Sequence, residues 1–237
     1  KIYNDFLRTI LLKITKLEKI NHTLEGKLDE IKYSYDLSEE DVSIVYKITE
    51  ELKEEHEKYD EVIEAGRSKT VSYSHLAKEM EVLNLKVSKT EEKLELALRT
   101  FGSLKEDELR AKDQLEEMKE ILNQAKKEIR SYKLPIIPDN YFVELGEATE
   151  AIYNMVQELE KTPISIKVLN RRVDTARDLV LKLYNTTNEM IKTAALAERS
   201  MVYSNRFRAY YKDVDQGLNL AEKYFFEGKY KESLDTV

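Results

Sequence analysis

Apolar residues recur along this chain in steps of three and four, the spacing that lines them up on one stripe of an α-helix. From Tyr3 to Tyr35 the step passes through Leu7, Ile10, Ile14, Leu17, Asn21, Leu24, Leu28 and Ile31, and only Asn21 is polar. A period near 3.5 residues held this long is the seam of a helix packed lengthwise against others. Asn21 reads best as a hydrated residue at the edge of that seam, the alternative being a polar residue that fixes register. Asp36–Asp41 then reset the chain: Ser38 is a predicted N-cap, acidic residues fill the first turn, and Leu37 can staple onto Val42. The second helix continues through Val45, Thr49, Leu52, His56, Tyr59 and Ile63, with Gly66 as its predicted C-terminal glycine.

The third segment keeps one phase from Leu76 through Met80, Leu83, Val87, Thr90, Leu94, Ala97, Phe101, Leu104, Glu108, Ala111, Leu115, Met118, Leu122, Ala125 and Ile129 to Tyr132. A loop at Gly102-Ser103 would shift that phase, so the spacing predicts one helix of about 60 residues, roughly 90 Å long. Leu134-Pro135-Ile136-Ile137-Pro138 ends it, because two prolines forbid continuation. A shorter helix is expected over 140–161, with Thr162-Pro163 as N-cap and first residue of the next. That next helix steps through Ile166, Leu169, Val173, Ala176, Val180, Leu183, Thr187, Met190, Ala194, Ala197, Met201 and Ser204 to Arg208. Near Tyr210–Lys212 the chain reverses into a helix ending at Glu227-Gly228, and a last one begins at Lys229.

Helices twice the length of their neighbours can close one antiparallel three-helix bundle and open the next. The predicted fold class is therefore all-α: tandem spectrin-like antiparallel three-helix bundles sharing long continuous helices in an elongated rod. The expected units are 1–100, 103–192 and an incomplete third over 193–237. With no initiator Met and an end inside a helical pattern, the sequence reads as an excised fragment.

Composition narrows the chemistry. Six Gly and three Pro in 237 residues are too few for the frequent turns of barrels, sandwiches or doubly wound sheets. No run of about 18 apolar residues is present to span a membrane. The lack of Cys excludes disulfides and thiolate metal sites. A net charge of −7 argues against nucleic acid as a partner. The glycines are too scattered for a phosphate-cradling loop. His56-Glu57-Lys58-Tyr59-Asp60 opens like a zincin helix but has Asp60 at the second histidine position. None of His22, His56 and His75 has a Glu three residues before it, as a di-iron bundle requires. His56 is expected to be a half-buried seam residue, with His22 and His75 beside the seam. No catalytic, metal or cofactor site is expected, and the chain does not read as an enzyme.

Two features rise above this background. Ala221–Leu234 mimics the helix–Gly–helix junction of a tetratricopeptide repeat, yet no second copy follows at the 34-residue period of that family, and a plain helical hairpin explains it. The other is Arg199, Tyr203, Asn205, Arg206, Phe207 and Arg208, a compact basic-aromatic patch in an acidic chain. Arginine and aromatic residues are enriched at binding hot spots. The plainer reading is a helix end whose arginines pair with Glu198, Asp213 or Asp215 while the rings pack inward.

Tyr203-Ser204-Asn205-Arg206-Phe207-Arg208, followed by the hairpin at 221–234, resembles the C-terminal region of the EzrA family of septation ring formation regulators of Gram-positive bacteria. That family typically carries Gln-Tyr-Gly-Asn-Arg-Tyr-Arg here. Asn205, Arg206 and Arg208 match, whereas Val202, Ser204 and Phe207 depart from the pattern. The resemblance implies the C-terminal half of a cytoplasmic arc of spectrin-like repeats, held to the cell membrane at the septum by an N-terminal helix missing from this sequence. It implies regulation of the ring of FtsZ, the tubulin-like division protein, by restraining assembly away from midcell. Other implied partners are division and wall-synthesis proteins such as penicillin-binding proteins. Apart from the resemblance, seams satisfied between chains rather than within a bundle would give self-association. Readings of another class are a generic coiled-coil scaffold and a tetratricopeptide-like peptide-binding module. On the residues, Arg206, Asn205 and Arg199 are expected to face solvent and meet a partner, while Arg208 pairs with an acid of the fold.

Overall fold

A computed structural model describes residues 2–69 and 71–237, the side chains of Ile2 and Tyr3 excepted, so the seam position expected at Tyr3 lies outside the described residues. Among the described residues seven α-helices run in order: α1 (Ile2–Ser34), α2 (Glu39–Ser68), α3 (Tyr73–Tyr132), α4 (Asp139–Leu159), α5 (Ile166–Ser204), α6 (Lys212–Phe226) and α7 (Tyr230–Thr236), with a 3-10 turn at Asn205–Phe207 after α5. The protein is all-α. No described helix is long and apolar enough to cross a membrane.

Packing divides the chain into two compact units, 1–108 with 162–166, and 109–161 with 167–237. In the first, the seam of α1 is buried from Leu7 to Leu28, and it shares one core with α2 and the first half of α3. Glu18 meets His56 at 2.7 Å, and Asn21 donates to Thr49 at 2.7 Å, so α1 and α2 run antiparallel. Lys93 meets Glu51 at 2.5 Å and Lys58 meets Glu79 at 3.5 Å, which sets α3 antiparallel to α2. Each helix therefore touches two neighbours and buries a broad stripe. On α2 that stripe is Val45, Ile48, Leu52, Glu55, Tyr59 and Val62, which moves its centre off the expected His56 and Ile63 line.

The caps explain most boundaries. Ser38 and Asp41 form a reciprocal capping box, Ser38 Oγ accepting from the Asp41 amide at 3.1 Å. Gly66 does not end α2; the helix runs two residues further and Lys69 takes the left-handed conformation instead, with φ 54°. α3 passes through Gly102 without a break, and its positions from Leu76 to Phe101 and from Ala111 to Ile129 are buried at each seam step.

The start of α5 differs from expectation. Thr162-Pro163 is a cis peptide rather than a helix entry. Ile164 instead forms an isolated parallel bridge with Tyr35, its amide donating to Ser34 O and its carbonyl accepting from the Asp36 amide, both at 2.9 Å. With both backbone groups of Ile164 engaged in this pairing, the helix begins only at Ile166. Tyr35 adds a hydroxyl bond to Glu108 at 2.5 Å, and burial together with that carboxylate pushes its phenol up to about 12.

In the second unit, Arg172 lies 3.8 Å from Glu158 and Lys182 3.5 Å from Glu144, pairings that set α4 and α5 antiparallel. The last turn of α3 reaches α5 where Tyr132 donates to Glu198 at 3.2 Å. Beyond it, Ala194 and Ala197 of α5 pack with Phe225 and Tyr230. The α6–α7 hairpin turns at Gly228, whose φ of 77° favours glycine, and a Cβ there would stand 3.1 Å from the Ile136 side chain, closer than ordinary contact. Buried Ser233 closes the hairpin by donating to Ala221 O at 2.8 Å.

Candidate functional site

The patch sits where α5 gives way to the 3-10 turn and then to α6. The 3–4 step in the sequence extends the helix to Arg208, but the α-helix stops at Ser204. The Arg208 amide bonds to Asn205 O and the Tyr210 amide to Phe207 O, three-residue closures that tighten the chain before it reverses.

The three arginines have separate surroundings. Arg208 is half-buried and spans to α6: its Nε donates to Asp215 at 2.7 Å, one terminal nitrogen to Glu222 at 2.8 Å, and the other to Asn219. Asp215, Asn219 and Glu222 are spaced four and three apart, on one face of α6. The bonds to Asp215 and then Glu222 raise the Arg208 guanidinium further above its ordinary value.

Arg206 is exposed and turns back onto its own turn. Its Nε donates to Tyr203 O at 2.9 Å, and the guanidinium carbon lies 3.6 Å from the Tyr203 ring centre and 5.5 Å from that of Phe207. The two rings stand edge-on, 6.2 Å apart. A guanidinium at this range over an aromatic face is a cation–π contact, and it holds Arg206 extended over the surface. Arg199 and Asn205 are exposed as well. Neither Arg199 nor Arg206 takes part in an ion pair among the described residues.

The rings do not pack inward. Tyr203 is 60% exposed and Phe207 39%. Tyr210, Tyr211 and Val202 are exposed beside them, a continuation of the apolar surface that the arginine-centred motif did not signal. Adjacent tyrosines at a chain reversal were the available clue. Asn219 and Glu222 were likewise missed as partners of Arg208, because the fold of α6 back onto the turn is needed to bring them near. The site holds no arrangement of nucleophile and base. It presents exposed guanidinium charge over two aromatic rings.

The other sequence candidates resolve differently. His56 is half-buried on α2, its Nδ1 at 2.7 Å from Glu18, a bond that raises the imidazole above its ordinary value. His22 and His75 are exposed. Asn21 is not hydrated at a seam edge: it is 2% exposed and bonded across to α2, because the α1–α2 interface closes over it.

Comparison with known proteins places this geometry in context. The family model described as "Septation ring formation regulator, EzrA" matches residues 4–237. A septation ring formation regulator EzrA of Geobacillus sp. (strain WCH70) is 28% identical over 240 residues, covering 99% of this chain and 42% of the relative. The protein of the same name from Listeria monocytogenes serotype 4a is 25% identical over 227 residues, 94% of this chain and 39% of its own length. That of Geobacillus kaustophilus is 35% identical over 124 residues, 52% of this chain and 22% of its own. The chain thus spans about two fifths of the length of the first two of these relatives. No solved structure matches it. With nearly the whole chain matched, this protein belongs to the EzrA family of septation ring formation regulators.

Proposed function

We propose that the chain is the C-terminal half of the cytoplasmic region of a membrane-anchored division regulator, acting at the septum on the cytoplasmic side of the cell membrane. In this reading it modulates assembly of the FtsZ ring, restraining it away from midcell, and scaffolds division and wall-synthesis proteins, penicillin-binding proteins among them. In the same reading three spectrin-like repeats, 1–100, 103–192 and an incomplete 193–237, carry these contacts, because a long continuous helix keeps the partners bound along it at fixed separations.

Arg199, Tyr203, Asn205, Arg206, Phe207 and Arg208 form the docking patch. The observation that carries this reading is the division of labour among the arginines: Arg208 is consumed by α6, while Arg206 is held exposed over Tyr203 with no acid beside it. An acidic segment of a division protein fits a surface of this chemistry. The test is Arg206→Ala in the full-length protein, followed in cells by fluorescence and in vitro by melting. Loss of midcell localisation at an unchanged melting temperature supports docking. Normal localisation, or early melting, shows the patch to be structural. Sedimentation of FtsZ filaments with and without the whole cytoplasmic region tests the effect on assembly.

A further inference from the structure

The first half of α3 has two seams. One, from Leu76 to Phe101, lies in the core shared with α1 and α2. On the opposite side Val82, Leu85, Lys89, Glu92, Leu96 and Arg99 repeat the same steps of three and four, and all six are exposed. This stripe lies wholly within the first unit. Val82, Leu85 and Leu96 are 54%, 62% and 59% exposed. Exposed apolar residues that stand singly need no explanation, as with Leu12 on α1 and Tyr46 on α2. Three on one stripe at heptad spacing are the mark of a helix with a partner along it. Further along α3 the same step meets only charge, at Asp113, Glu117 and Glu120.

The order of residues along the stripe selects its occupant. A two-fold axis midway between Lys89 and Glu92, with a second copy of α3 laid antiparallel, sets Leu85 against Leu96 of the second copy. It sets Lys89 against Glu92 of the second copy, and the symmetry makes each contact twice. Other arrangements lose this match. Parallel helices in register oppose lysine to lysine and glutamate to glutamate. Sliding the antiparallel pair by one heptad opposes Leu85 to Lys89 of the second copy, or Leu96 to Glu92 of the second copy. Among the described residues neither Lys89 nor Glu92 takes part in an ion pair, so both charges remain for the contact across the axis. Lys93, which flanks the stripe, is already held by Glu51 of α2 at 2.5 Å and brings no unmatched charge.

We propose that the outward face of α3 docks the same face of a second copy of this chain, antiparallel, through Leu85, Lys89, Glu92 and Leu96. The contact uses none of the core seams and does not rest on the patch after α5 or on the function read from it. From Val82 to Arg99 the stripe is about 25 Å long. An interface of that size belongs to the small, transient class, and dimers are expected at concentrations on the order of tens of micromolar and above.

The test is sedimentation equilibrium of the intact chain at loadings up to roughly 300 µM. The parent shows a monomer–dimer equilibrium. Lys89→Glu opposes like charges at both symmetry-related contacts, as does Glu92→Lys, and each alone weakens dimerisation at least about fivefold. The two substitutions in one chain exchange the pair rather than destroy it and restore the parent affinity. Leu85→Ser with Leu96→Ser removes the dimer. Glu120→Lys and Lys127→Glu, reversals at exposed positions further along α3, leave the equilibrium unchanged. A chain that stays monomeric throughout, or one that grows beyond the dimer, overturns the proposal. So does a dimer that both single reversals leave intact, or that the combined exchange fails to restore.

Discussion

Arg208 donates to Asp215 across 2.7 Å, and this bond pins the turn after α5 to the first turn of α6. Its guanidinium also holds Glu222 and Asn219, so three acceptors on one helix face converge on one side chain. The guanidinium reaches them from three separate nitrogens in one plane, whereas a lysine would have to bring all three acceptors to a single atom. Arg208→Lys is therefore expected to lower the melting temperature, and Arg208→Ala to lower it further. Hydrogen exchange should show faster amide exchange confined to residues around 205–215. Protection unchanged in that stretch would mean that the bonds contribute nothing to holding the turn.

Gly102 lies inside α3, and a Cβ built there meets no atom within 4 Å. Gly102→Ala is expected to stabilise the protein by up to about 1 kcal/mol, the difference in helix propensity. Denaturant titration reads this directly. A destabilised variant would contradict an unbroken helix through this point.

Glu55 is the buried acid of α2, 4% exposed, with Oε1 accepting from Thr90 at 2.7 Å and Oε2 unpartnered. Burial raises its carboxyl above the ordinary 4.5; Glu51 pushes the same way, while Thr90, Lys86 and Lys93 oppose. A carboxyl whose folded pKa exceeds its unfolded one binds its proton more tightly when folded. Its contribution is full below the unfolded value and is lost as pH rises through the folded one. Glu55→Gln keeps an acceptor for Thr90 and removes the charge, so it should exceed the parent in stability at pH 7 by on the order of 1 kcal/mol. The difference should shrink as pH falls toward the acid range. A gap that is constant with pH would show that Glu55 titrates alike in the folded and unfolded chain.

Asn21→Leu replaces the buried amide by the residue that fills most of the same seam. Thr49 keeps its bond to Val45 O, so no hydroxyl proton is stranded. Removing an amide whose buried Oδ1 has no hydrogen-bond partner and adding apolar burial should raise stability by about 1 kcal/mol. Urea unfolding of the variant beside the parent provides the measurement, and a fall in midpoint would show that the Asn21–Thr49 bond outweighs the unpaired oxygen.

The sequence revealed most where one helix decides its own burial. The seam of α1, the Ser38 cap and the passage of α3 through Gly102 all depend on neighbours within a turn or two, and local spacing contains that information. It failed where distant chain segments compete for the same backbone. Ile164 stays out of the helix that Thr162-Pro163 signals because Ser34 and Asp36 offer it bonds, and no local signal encodes a loop some 130 residues away. Glu55 was hidden for a different reason: an acidic residue reads as solvated until a third helix supplies Thr90 above it. At the patch, residue types alone do not separate the arginines; only the fold of α6 distinguishes Arg208, held by acids, from Arg206, left exposed.

The bridge between Tyr35 and Ile164 has a consequence for anyone who would dissect this molecule with a gene-cloning primer. Five residues, 162–166, complete the first unit although they are encoded more than fifty codons beyond its last helical segment. A truncation ending at Glu108 would amputate them, stranding the Ser34 carbonyl and the Asp36 amide and uncovering Tyr35. The building blocks of this protein are thus interleaved along the gene rather than strung in series, and a cut that looks clean in the sequence severs a piece of the block upstream.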